Sequence, residues 1–244
     1  MYETDNFVSG GDKFLELYRQ LEREGKRVYF PDAKDGENII GRLMNVPQLK
    51  NLKDDLDYCR VVRNFLVHNP KVKGEFAVTP SETMIEFMES CVGMVKNPLK
   101  AMDYAIKRNN MYTAGLSSRV VDIIRHMVIN GFTHVPIMEN NRLIGVFSAN
   151  VLFGYLADIK RMDITMNARV EQFIEHIALH NHENEYFTFA AKDITLYEVS
   201  KKFKIDSKTM KQLCAIFLTE TGKADEPVLA MITPYSLLRD APEL

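Results

Sequence analysis

The stretch Met111–Leu152, MYTAGLSSRVVDIIRHMVINGFTHVPIMENNRLIGVFSANVL, decides how this chain reads. Apolar alternation over Met111–Ala114 predicts a short strand. Ser117 or Ser118 then offers a hydroxyl that can accept a bond from an unpaired backbone N–H at a helix start. Val120, Ile123, Ile124, Met127 and Val128 recur at helical spacing, and Gly131 stands where a left-handed residue ends such a helix. Two strands, Thr133–Met138 and Arg142–Ser148, flank a tight polar turn at Asn140-Asn141, and a second apolar helix starts near Asn150. The order is strand–helix–strand–strand–helix.

That order returns downstream. Tyr186–Ala190 reads as a strand, Thr195 opens a helix with Glu198 as its capping-box partner, and strands Leu213–Thr219 and Val228–Thr233 precede a helix over Pro234–Leu238. IGVFSANVL set against LAMITPYSLL carries the internal repetition. The intervening Asp158–Glu185 reads as a mostly polar connection. It holds EQFIEHIALHNH, where His176 and His180 are four apart and His182 follows. Such spacing can present two imidazoles to zinc, but no third ligand stands at a recognised spacing, so no metal is expected.

GFTHVPIMENNRLIGVFS, after a helix ending in Met-x-x-x-Gly, closely resembles the cystathionine-β-synthase (CBS) domain. The resemblance implies tandem repeats forming a disc, with adenosyl ligands such as AMP, ATP, S-adenosylmethionine or cyclic di-AMP in clefts between them. It also implies that adenosine rests against the first strand, Tyr112–Ala114. The matching site residues are Thr113, Thr133, His134, Val135, Pro136 and Ser148, with His134 facing phosphate. The family's ribose-binding Asp, three beyond Ser148, is Val151 here. Valine accepts no ribose hydroxyl, and Asn150 is the nearest polar substitute. In the second repeat Thr188, Thr233 and Ser236 match. There Phe217 replaces the strand proline, Ala230 replaces the equivalent of Gly145, and Ser236 replaces the Asp.

The N-terminal third reads all-helical. From Asp12, Phe14, Leu17, Tyr18 and Leu21 make one face that Gly25 closes, and Arg27–Glu37 is a loop. A short helix through Ile39, Ile40 and Leu43 stops before Pro47, a long one runs from about Leu49 to Val67, and another spans Ser81–Val95. Leu52, Leu56, Cys59, Arg63 and Leu66 follow helical steps, so Arg63 falls on the apolar face and needs a partner or a wet cleft. His68 lies about 140° further round an ideal helix, so the two converge only if the helix breaks at Asn69-Pro70 or across a dimer. Arg63-Asn64-x-x-x-His68 resembles the Arg-polar-x(3–5)-His signature of HEPN domains, many of them metal-independent dimeric ribonucleases. That resemblance would make Arg63, Asn64 and His68 catalytic. The structural alternative pairs Arg63 with Asp55 or Asp57 and has His68 cap the helix end.

The 31 basic and 33 acidic residues leave a net charge of −2, which supplies no global field for nucleic acid. Cys59, Cys91 and Cys214, odd in number and far apart, suggest a reducing cytoplasm rather than a disulfide framework. MYETDNFVSGGDK is unlike a signal peptide, and no apolar run approaches a membrane span. The chain is therefore expected to be α+β: an all-α helical bundle over 1–97, a first CBS repeat over 98–160, and a linker with the second repeat over 161–244. A regulatory homodimer binding an adenine nucleotide, with no required cofactor, is the function implied. A HEPN ribonuclease gated by the CBS pair and a ligand-free structural dimer are the alternatives, and only the ribonuclease would engage nucleic acid. Similarity to bacterial CBS proteins with a helical N-terminal extension is also expected.

Overall fold

The computed structural model describes residues 9–69, 71–158, 164–203 and 211–240. The first eight residues, and Pro70 of the expected helix break, lie outside them. The chain forms two compact units, meeting in sequence at Leu99 and Lys100. The architecture is α+β, with an all-helical N-terminal unit.

In that unit helix α1 spans Gly10–Tyr29, α2 Ile39–Leu43, α3 Lys53–His68 and α4 Glu82–Lys96. Ser9 caps α1, its Oγ accepting from the Asp12 N–H at 3.2 Å, and Ser81 does the same for α4 through Met84. Phe14, Leu15, Tyr18 and Leu21 of α1 are buried, as are Ile85, Met88, Cys91, Val92 and Val95 of α4, which packs along it. Gly25 does not end α1. The helix runs four residues further, and a Cβ at Gly25 would stand 2.8 Å from Leu43 Cδ1. The glycine is there so that α2 can approach. The expected long helix from Leu49 is a 3-10 turn over Pro47–Leu52 followed by α3, whose buried face is Leu56, Cys59 and Leu66.

The second unit begins with α5 (Ala101–Tyr104) and strand β1 (Ile106–Lys107). Its first half holds α6 (Val120–Asn130), β2 (His134–Glu139), β3 (Arg142–Ser148) and α7 (Ala149–Asp158). Gly131 adopts φ 69° as the C-cap of α6, and Asn140 and Asn141 are both left-handed in the β2–β3 turn. Met111–Ala114 is strand only at Ala114, which bonds the Pro136 carbonyl and the Met138 N–H. Arg119, not a serine, is the N-cap of α6; Ser118 instead accepts from the Gly115 N–H. A short helix α8 (Ile174–Ile177) follows, then the second half: β4 (Glu185–Ala191), α9 (Leu196–Lys202), β5 (Gln212–Thr219), β6 (Ala230–Ile232) and α10 (Pro234–Asp240). Thr195 and Glu198 form the expected capping box.

The four-stranded sheet runs β1-β6-β5-β4, with β4 parallel to β5 and the other pairs antiparallel, while β2 and β3 make a separate hairpin. Each half is completed by chain from before the other. β1 pairs with β6, and Ala101 N–H bonds the Ile194 carbonyl; conversely Val120 N–H bonds the Ala168 carbonyl and Val170 N–H the Ser118 carbonyl. The connection is therefore not simply polar: Val170, Phe173 and Ile177 are fully buried in the core of the first half with Val120, Ile123, Val135, Ile137 and Phe147. Gly145 on β3 makes this possible, since a Cβ there would sit 2.3 Å from the Ile177 carbonyl oxygen. A second core joins Val146 to Phe187, Ala215, Phe217, Val228 and Met231.

Candidate functional site

The polar cluster of the second unit is built where β2 and β3 of one half meet the start of β4 of the other. β2 and β3 pair His134 opposite Ser148, so both side chains sit at one end of the hairpin. Glu185 opens β4 and delivers its carboxylate to the same point. Ser148 Oγ donates to Glu185 Oε2 at 2.9 Å and Asn150 Nδ2 to Oε1 at 2.7 Å. His134 Nε2 lies 3.2 Å from Oε1, and His182 Nδ1 3.2 Å from Oε2. Phe187 fixes both imidazoles, which meet its ring edge-on at centroid distances of 5.6 and 4.9 Å.

The Glu185 side chain is 12% exposed. Burial pushes its acidity toward the neutral form, but the bonds from His134, His182 and Ser148 outweigh burial and hold the carboxyl well below the usual carboxylate range. Cys214, near the start of β5, has its thiol pushed up to about 12, first by burial and then by the negative charge of Glu185. Beside the cluster opens a cleft of about 520 Å³, within the range of small-molecule sites, with Asn150, Val151, Gly154, His182 and Glu185 in its wall.

Of the residues expected in a ligand site, His134, Ser148 and Asn150 are brought together. Thr133, exposed, bonds His134 Nδ1 through its hydroxyl at 2.8 Å. Val135 and Pro136 are buried on β2, and Thr113 lies with Arg108, whose Nη1 is 3.5 Å from its hydroxyl. In the second half Thr233 and Ser236 hydroxyls are 3.1 Å apart and bond each other's backbone N–H, so both are spent at the start of α10. Thr188 is half-buried on β4, paired with Ile216. Sequence reasoning missed Glu185, His182 and Cys214 as members of one cluster. The expected His176 and His180 pair does not form a helical i,i+4 step, because α8 ends at Ile177; His176 Nε2 instead meets Asp158 at 2.7 Å.

In the N-terminal unit Arg63 lies over the Tyr18 ring, 5.5 Å from its centroid, and donates to Asn64 Oδ1 at 3.1 Å. It pairs with neither Asp55 nor Asp57, since Arg60, one turn from Asp57, takes that carboxylate at 2.9 Å. His68 is exposed at the last position of α3, whose end is closed instead by Asn69, which bonds the Phe65 carbonyl. Among the described residues no hydrogen bond joins His68 to Arg63, and no helix is long and apolar enough to cross a membrane.

No protein-family model matches the sequence, and no curated protein sequence does. Solved structures do match. CBSX2 in complex with AMP is 16% identical, covering 58% of this chain and 94% of that one at a TM-score of 0.41. The CBS domain pair of protein MJ0100, in complex with 5′-methylthioadenosine and S-adenosyl-L-methionine, is 17% identical over 58% of this chain and 94% of that one, TM-score 0.40. A CBS domain protein of Thermoplasma acidophilum, TA0289, is 12% identical over 60% and 71%, TM-score 0.40. These are CBS-domain proteins, and the doubled strand–helix–strand–strand–helix order of the second unit is the one expected of a CBS pair.

Proposed function

We propose that the second unit is a CBS-type sensor that takes an adenosyl ligand in the cleft beside Glu185 and reports to the helical unit. The observation that carries this reading is the carboxylate itself. Val151 leaves the first repeat without the acidic group that would accept ribose hydroxyls, and Glu185 brings one to Ser148 and Asn150 from the other half. A ligand bonded there would touch both halves, which is what a binding event needs to shift the balance between two arrangements of them. An ionised carboxylate in the wall disfavours phosphates close by, so AMP and S-adenosylmethionine should bind better than ATP. His134, Ser148, Asn150 and His182 surround the acceptor, with Thr133 holding His134 from behind. In the second half Thr233 and Ser236 are spent on a helix start, so Glu185 is that half's contribution to the ligand.

Exposed apolar side chains on α6 and α10, Val128 and Ile129 with Tyr235 and Leu238, suit a homodimer, which sedimentation equilibrium would detect. The unpaired cysteines suit the cytoplasm. Thermal melting with AMP, ADP, ATP, S-adenosylmethionine, NAD and cyclic dinucleotides tests the ligand. A ligand present at one hundred times its dissociation constant adds about 2.7 kcal/mol to stability. The expected result is a raised melting temperature for one adenosyl compound, lost in Glu185→Gln. No shift for any of them, or an equal shift in the variant, overturns the proposal.

A further inference from the structure

We propose that His134, Glu185 and Cys214 form a zinc-class metal site. One ligand atom from each lies within 4.8 Å of the others. A tetrahedral zinc ion with nitrogen, oxygen and sulfur donors needs its ligand atoms roughly 3.3–3.8 Å apart, so the shell closes with shifts of about an ångström. The donor set decides the metal class. An imidazole, a carboxylate and a thiolate suit zinc and disfavour magnesium or calcium, which take oxygen alone.

The hydrogen bonding of the cluster holds its donor groups in place. His182, with a side chain 2% exposed, has Nε2 3.3 Å from the Ile177 carbonyl and Nδ1 3.2 Å from Glu185 Oε2, which fixes the carboxylate from the side away from His134. A hydrogen-bond partner on the far nitrogen is the usual outer contact of a metal-bound histidine, and the Thr133 hydroxyl supplies one to His134 at Nδ1, 2.8 Å away. Cys214 is poised without a strong partner, its sulfur 3.5 Å from the Gln212 carbonyl. Binding would displace the thiol proton to solvent and leave a thiolate on the metal. Phe187 meets the His134 and His182 rings edge-on and fixes their orientation.

The inference goes beyond the adenosyl reading and does not depend on it. The test uses the full chain, stripped with EDTA and dialysed, with zinc chloride alone as the probe in competition with a chromophoric chelator. Cobalt(II) is then substituted to report geometry and sulfur ligation. One equivalent per chain is expected, with visible cobalt bands of tetrahedral intensity and a near-ultraviolet thiolate-to-cobalt charge-transfer band. Cys214→Ser should abolish that band, and both it and His134→Ala should weaken zinc binding more than about tenfold. Circular dichroism of each metal-free variant shows that the fold survives; the wild-type cobalt spectrum tests the proposal even if a variant does not fold. Failure of the wild type to take up one zinc, or uptake unchanged in both variants, overturns it. A nucleotide shift that persists in EDTA alongside absent zinc uptake would sink the metal site alone, and zinc uptake with no nucleotide shift would sink the sensor alone.

Discussion

Glu226 illustrates how much one surface carboxylate can organise. Both its oxygens are engaged by Thr221, one by the backbone N–H at 2.7 Å and the other by the hydroxyl at 2.5 Å. Those bonds bring its carboxyl down to about 2. An unfolded Glu titrates near about 4.3, so the folded value is the lower one. The contribution is therefore present above about pH 4.3 and lost as pH falls toward 2. A side-chain carbon NMR titration should place the Glu226 midpoint near 2, with the amides of residues 221–226 moving alongside. A midpoint near 4 would mean the Thr221 bonds do not persist in solution. Arg63 gives a second residue-scale expectation. Its guanidinium covers Tyr18, so Arg63→Ala should lower stability by about 1 kcal/mol, whereas exposed His68→Ala should stay within about 0.5 kcal/mol. Neither should change RNA cleavage. Loss of cleavage in His68→Ala without loss of stability would favour the ribonuclease alternative instead.

At the scale of elements, the packing of the connection against β3 rests on one missing methyl group. Gly145→Ala would place a carbon against the Ile177 carbonyl, and backbone there has little room to retreat. A cost of about 1–3 kcal/mol is expected, read as a lowered melting temperature and faster hydrogen exchange at Val170–Ile177. An unchanged melting temperature would mean that α8 shifts freely. The elements themselves were largely legible. Periodicity and caps located β2, β3, α6, α9 and β5 to within a residue or two, because each is specified by its own local pattern. Where the reading failed, a distant partner decided the matter. Gly25 looks like a stop signal but answers the approach of α2, and β1 exists only because β6 lies beside it. The ligand cluster failed for the same reason. His134, Ser148 and Asn150 carry a family pattern, whereas Glu185 stands 37 positions from Ser148 and matters only once β4 is laid against the first half.

At the scale of the whole second unit, the mutual completion of the halves predicts one cooperative transition rather than two. Amide exchange at Ala101 and Ile232 should collapse with that at Ile123 and Phe147 as denaturant is added, although they belong to different repeats. Two separated exchange transitions would show the repeats to be independent. The pairing of β1 with β6 also sets a timetable for synthesis. Ile106 leaves the ribosome more than a hundred residues before Met231, its partner across the sheet. The first half can close over its core once Ile177 has emerged, but β1 stays without its partner strand until Met231 is made. A newborn chain must therefore carry an unpaired edge while more than a hundred further residues are added. The nascent protein is expected to need shelter from aggregation longest at Ile106–Lys107.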